Sequence, residues 1–170
     1  MVSEKIFIIP ENPKGKLMKR SNKVISILKD YEKVAKGGVG KIVAEKGAKI
    51  NFREKEVTEL LHKIYGGNFI YRNEKRGIGL RTSDILWNKT EYEIKNYSGV
   101  SKNGIDNTLR KTKGQAKRFI IDISDSKLTS NDVINQAIRL LDTRRRYWVF
   151  EIIVIKNKKI IDILRIKETN

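Results

Sequence analysis

The sequence predicts a mixed α/β domain: an αβββαβ core with a mixed sheet, one extra helix and a C-terminal β-hairpin. Three observations carry this. Residues 54–65, EKEVTELLHKIY, place Val57, Leu60, Leu61 and Ile64 on one helical stripe that ends at Gly66-Gly67. Residues 84–95, DILWNKTEYEIK, alternate apolar and polar on either side of Asn88-Lys89, as an antiparallel hairpin does. Two strongly apolar stretches follow, Phe119–Ile123 and the run YWVFEIIVIKNKKIIDILRI, with a helical period between them.

Taken in order, residues 10–23 hold both prolines and many charges and read as a loop or linker. Residues 24–36, VISILKDYEKVAK, space Val24, Ile27, Leu28 and Tyr31 as a helix would. GGVGK at 37–41 suggests a phosphate loop, but that pattern needs glycine at 35 and Ser or Thr at 42. Here Ala35 and Ile42 stand there, so the segment reads as a flexible turn. Residues 1–50 are thus expected to be an N-terminal extension, partly helical, and 51–170 the catalytic domain. NFIY (68–71) is a short strand before the loop RNEKRGIGLRT, and residues 101–116 form a helix leading into the Phe119 strand. Residues 130–142 form another helix, with Thr129 and Asp132 as a capping box and Val133, Ala137, Ile138 and Leu141 buried. The closing hairpin turns around Asn157-Lys158-Lys159, and no internal repeat is present.

Composition narrows the chemistry. The 170 residues carry 37 Lys and Arg against 20 Asp and Glu, a formal net charge of +17, while 39% hydrophobic content is enough for a buried core. Such an excess points to a polyanionic partner, nucleic acid first, or to an acidic protein. With no cysteine and one histidine, His62, the chain excludes disulfides, thiolate catalysis, Cys or His-rich zinc sites and most Ser-His catalysis. No apolar run is long enough to span a bilayer, and the start lacks the pattern of a signal peptide.

A two-residue turn at Asn88-Lys89 sets Trp87 opposite Thr90, Leu86 opposite Glu91 and Ile85 opposite Tyr92. Asp84 then meets Glu93. Ile85, Trp87, Tyr92 and Ile94 share the core face, leaving Asp84, Glu91, Glu93 and Lys95 on the other. Like charges opposed across a sheet are unfavourable unless something sits between them. A divalent cation, Mg²⁺ or Mn²⁺, resolves the conflict, and Lys95 can hold a nucleophilic water or developing negative charge. An exposed ladder in which Lys95 bridges either acid satisfies the same spacing.

Helix, short strand, loop, Ser83-Asp84, hairpin, Glu93-Ile94-Lys95, then Gly114-Gln115-Ala116 before an apolar strand resembles the PD-(D/E)xK nuclease superfamily. In particular it resembles C-terminal toxin domains of bacterial contact-dependent inhibition and related polymorphic toxin systems, some of which cut tRNA and others DNA. The likeness spans about Arg53 to Asp125, with Ser83 in place of the motif's proline. It implies that Asp84 and Glu93 bind the metal and that Lys95 and Gln115 complete the catalytic set. It also implies a further carboxylate from the first core helix, Glu56 with Glu59 as fallback.

The basic segment around Lys102, Arg110, Lys111, Lys113, Lys117 and Arg118 suits a phosphate backbone. Arg144, Arg145, Arg146 and Trp148 either bind nucleic acid by charge and stacking or form the entry to the last hairpin. The expected function is a metal-dependent endonuclease acting as a toxin, with RNA, and within it tRNA, favoured. Alternatives are the same fold cutting DNA, an inactive nucleic-acid-binding module and a non-enzymatic adaptor. A toxin further implies an acidic immunity protein, and export within a larger protein for delivery to the cytoplasm of a target cell.

Overall fold

The computed structural model describes residues 23–74 and 82–167. Its elements are β1 (Val24–Ser26), α1 (Leu28–Val34), β2 (Ile42–Ala44), α2 (Phe52–Tyr65), β3 (Phe69–Tyr71), β4 (Ile85–Trp87), β5 (Thr90–Asn96), α3 (Gly104–Leu109), β6 (Arg118–Asp122), α4 (Ser130–Thr143), β7 (Glu151–Lys156) and β8 (Lys159–Ile166). The strands make one mixed sheet in the order β1-β8-β7-β6-β5-β4-β3-β2. From α2 to β6 the elements follow the predicted order: helix, antiparallel β3-β4-β5, helix, then β6 parallel to β5.

Side-chain alternation along β6 builds a core on each face. Phe119 and Ile121 pack with Ile105 and Leu109 of α3 and with the apolar face of α4. Ile120 joins Val57, Leu61 and Tyr65 of α2, together with Ile85, Trp87, Tyr92 and Ile94. The sheet centre is buried on both sides, which is why β6 and β7 read as unbroken apolar runs. Both bonds of the Thr129–Asp132 capping box are present at the start of α4. Thr129→Ala should therefore cost about 1 kcal/mol, read as a lowered midpoint in urea with unchanged slope.

Three expectations are corrected, and one strand is new. The helix predicted over 24–36 begins only at Leu28, because Val24–Ser26 pair with β8 and the Ile27 N–H donates to the Ile163 carbonyl. The described part of the segment read as an extension, residues 23–50, joins the sheet: β1 pairs with β8, β2 with β3, and Val24, Ile25 and Ile27 are buried. A boundary at residue 50 would divide one sheet. The helix expected over 101–116 stops at Leu109, whose carbonyl accepts from both the backbone and the hydroxyl of Thr112. Beyond it the Lys- and Arg-rich run has no apolar stripe to bury. Finally, β2 was not foreseen; its three residues join parallel to β3.

The linker at 10–22 and residues 75–81 of the predicted loop lie outside the described residues. Among the described residues no helix is long and apolar enough to cross a membrane.

Candidate metal centre

The hairpin that carries the site folds as its sequence demands. Asn88 and Lys89 both take positive φ, 47° and 67°, as a two-residue turn matching strand twist requires. The register is Trp87↔Thr90, Leu86↔Glu91 and Ile85↔Tyr92. The ladder then gives way to a side chain. Asp84 Oδ2 accepts the Ile94 N–H at 2.7 Å, and the Asp84 carbonyl accepts from Arg72 N–H at 3.0 Å. Ser83, fully buried, accepts from Arg72 Nη1, which also reaches Glu91 at 2.6 Å. Arg72 thus braces the approach to Asp84 and takes Glu91 out of the site.

Asp84 and Glu93 are both buried. Glu93 Oε1 accepts from Lys95 Nζ at 2.8 Å, while Oε2 is buried and has no hydrogen-bond partner among the described residues. The carboxylates of Glu54, Glu74 and Asp84 each place an oxygen within 4.8 Å of the other two. Glu54 comes from the first turn of α2, where its other bonds are to the capping residue Asn51. The helix N-terminus favours acidic groups there.

The electrostatics are those of an acidic cluster that Lys95 offsets only in part. Burial pushes the Asp84 carboxyl up to about 7; the Glu93 charge adds to this, and the Ile94 N–H and Lys95 oppose it. Burial, then the Asp84 charge, pushes Glu54 up to about 7. Glu93 is raised as well, by burial, against the pull of Lys95. Buried carboxylates that repel one another, beside an oxygen without a donor, are what a hard divalent cation with oxygen ligands satisfies.

Sequence reasoning placed Asp84, Glu93 and Lys95 together, and they lie together. For α2 it named Glu56, with Glu59 as fallback, and neither lies in the group formed by Glu54, Glu74 and Asp84. Glu56 instead pairs with Arg53 at 3.5 Å beside Asp122 and Asp125, and Glu59 pairs with Lys55. The reason is rotational. The buried residues of α2 are Val57, Thr58, Leu61 and Tyr65, one position round from the predicted stripe, and Ile64 is exposed. Glu54 stands three and four residues before Val57 and Thr58, on that stripe; Glu56 does not. The missed signal was Asn51-x-x-Glu54, a capping box that starts the helix at Phe52. Glu74 gave no signal in the sequence.

Gln115 is placed elsewhere. It follows the end of α3 and lines a pocket with Lys89, Lys113, Lys117, Arg118 and Trp148, next to the N-terminal end of β6. The hairpin turn marks that end of the sheet, and Glu93 and Lys95 lie further along β5. The basic residues divide. Lys113, with its Nζ 5.1 Å from the Tyr147 ring centroid, Lys117 and Arg118 border that same pocket. Lys102 lies beside Arg139 and Arg145 in another, and Arg110 and Lys111 are exposed at the end of α3. Trp148 packs on the core and donates to Thr112, while Arg146 pairs with Asp106. His62 Nε2 contacts the Gly40 carbonyl.

No curated protein sequence matches this chain. A solved structure, the CdiA-CT/CdiI toxin and immunity complex from Burkholderia pseudomallei, aligns with a TM-score of 0.54 at 15% sequence identity, covering 74% of this chain and 99% of that one. The likeness is therefore one of fold. The family model of the contact-dependent growth inhibition CdiA C-terminal domain matches residues 81–161, which include Asp84, Glu93 and Lys95. Over residues 81–161 this chain thus matches the CdiA C-terminal domain of contact-dependent growth inhibition, on a fold similar to that of a CdiA-CT toxin.

Proposed function

We propose that this domain is a metal-dependent endonuclease of the PD-(D/E)xK type, acting as the toxic end of a larger contact-dependent inhibition protein delivered into a target bacterium. The carrying observation is the convergence of Glu54, Glu74, Asp84 and Glu93 with Lys95. Asp84, Glu93 and Glu54 would hold Mg²⁺ or Mn²⁺, with Glu74 as a fourth carboxylate. Bound there, the cation supplies Lewis-acid charge to the phosphodiester and favours ionisation of the attacking water. Asp84 is aimed by the Ile94 N–H, so its carboxylate is fixed before substrate arrives. Lys95, held by Glu93, offers a positive charge to the water and to the phosphate as negative charge grows.

RNA is the favoured substrate, and tRNA within it, on the resemblance to tRNA-cutting toxin domains; DNA is the alternative. The net charge of +17 suits either polymer. The same charge supports an acidic immunity protein that covers the basic surface, because opposite fields speed association. The similar structure is itself a toxin and immunity complex.

The test is incubation with total tRNA and with plasmid DNA, each in Mg²⁺ and in EDTA. We expect Mg²⁺-dependent cutting of tRNA; cutting that persists in EDTA would refute the metal site. The same assay separates the helix acids. Glu54→Gln should slow cleavage at least tenfold, whereas Glu56→Gln should leave it within about twofold, because Glu56 lies off the buried stripe of α2.

A further inference from the structure

The far end of α2 borders a second site of different chemistry. Eleven residues separate Glu54 from Tyr65, about 16 Å along a helix axis. Beside Tyr65 a cavity of about 590 Å³ opens between the segment after α1 and the β4–β5 turn. Tyr31, Tyr65, Trp87 and Tyr92 line it, with ring centroids of neighbouring pairs 5.4 to 5.9 Å apart. Lys36, Arg118 and Arg165 complete the lining.

Glu151 is fully buried and accepts from Arg165 Nε at 2.8 Å, from Tyr31 Oη at 2.8 Å and from Tyr92 Oη at 3.3 Å. Arg118 Nε lies 3.7 Å from the same carboxylate. Two guanidiniums therefore share one anion. Phe150 orders both, lying 5.0 Å from Arg118 Cζ and 5.3 Å from Arg165 Cζ. Burial and the Glu151 charge push the Tyr31 and Tyr92 hydroxyls up, so both stay neutral. Among the described residues both guanidiniums lie against the one carboxylate of Glu151, and the exposed Lys36 adds a further positive charge at the cavity.

Aromatic walls accept bases by stacking, and an ordered guanidinium accepts phosphate. The volume lies within the range of small-ligand sites. We propose that this cavity holds one nucleotide of a single-stranded stretch of the substrate, base at the half-buried Tyr31 ring and phosphate at Arg118, Arg165 and Lys36. The assignment deepens the nuclease reading and rests on it. The roughly 16 Å to Glu54 corresponds to about five nucleotides at the ~3.4 Å spacing of a stacked strand, and fewer when extended. Sequence preference is therefore read a few nucleotides from the cut.

The test uses the whole ¹⁵N-labelled protein in EDTA, titrated with 5′-AMP, CMP, GMP and UMP at millimolar concentration. At least one should shift the Trp87 indole N–H, which donates to the Gly66 carbonyl at the cavity wall, and the Gly66 and Gly67 amides. Lys36→Glu, on an exposed residue, should weaken that binding at least fivefold and lower kcat/KM for RNA similarly, with kcat and melting temperature unchanged. No saturable shift with any nucleotide, or shifts with polyglutamate alone, would overturn the site in favour of an acidic protein surface. Normal kcat/KM in Lys36→Glu would also overturn it while leaving the nuclease intact. Failure of wild-type cleavage would sink the nuclease, and with it the assignment of the nucleotide to a substrate strand, whereas the titration still reports nucleotide binding by itself.

Discussion

Lys95→Ala should lower RNA cleavage by about 10²–10⁴-fold, the usual cost of losing a group that acts on the reacting atoms. Glu93→Gln should do at least as much, since it removes a proposed metal ligand and the partner of Lys95 together. Steady-state rates on tRNA at saturating Mg²⁺ check both. Circular dichroism should show the fold retained, because neither side chain belongs to the apolar clusters on the two faces of the sheet. A Lys95→Ala protein with wild-type kcat would remove the lysine from the mechanism. The two variants should also fail in distinguishable ways. Glu93→Gln should weaken Mg²⁺ binding, measured by calorimetry, whereas Lys95→Ala should leave it near normal.

Asp84→Asn should be inactive yet more stable than the wild type at pH 8 without metal. The sign follows from the direction of its shift. The Asp84 carboxyl is raised from 3.8 to about 7 in the fold, so its contribution to stability is full below about pH 4 and is lost as pH rises toward 7 and beyond. Asparagine keeps an oxygen to accept the Ile94 N–H and carries no charge. The gain over wild type should be on the order of 1–3 kcal/mol at pH 8 and near zero at pH 4. Mg²⁺ should erase it, raising the wild-type melting temperature more at pH 8 than at pH 5, because only the ionised cluster binds the cation. Thermal melts of both proteins across pH 4 to 8, with Mg²⁺ and with EDTA, read every term. A wild-type advantage at pH 8 in EDTA would contradict the repulsion inferred for the cluster.

The hairpin was legible in detail because a two-residue turn and strict alternation leave one register. Ile85 opposite Tyr92 follows from Asn88-Lys89 alone, and Asp84 beside Glu93 follows in turn. Helix α4 was legible because the Thr129 cap and its apolar face agree. Other parts were hidden for definite reasons. Helix α2 carries glutamates at 54, 56 and 59, so choosing between them needs its rotation to one residue, and the cap that fixes it was overlooked. Val24 fits a helical period locally and is claimed by a strand about 140 residues away. Glu74 reaches the cluster only by tertiary folding. Gln115 was assigned through a helix that the basic run after Leu109 does not sustain.

The pairing of β1 with β8 bears on how the domain comes into being. Val24 meets Ile166 and Ser26 meets Leu164 at one margin of the sheet, and the centre β5-β6-β7 joins strands through parallel crossovers. Such contacts are distant in sequence, and closing those loops is slow on the scale of single-domain folding. Leu164 also belongs to the core cluster under α4 that Val24 completes. The β1–β8 margin therefore closes only once β8 is available, and this edge of the sheet should be among the last parts to form.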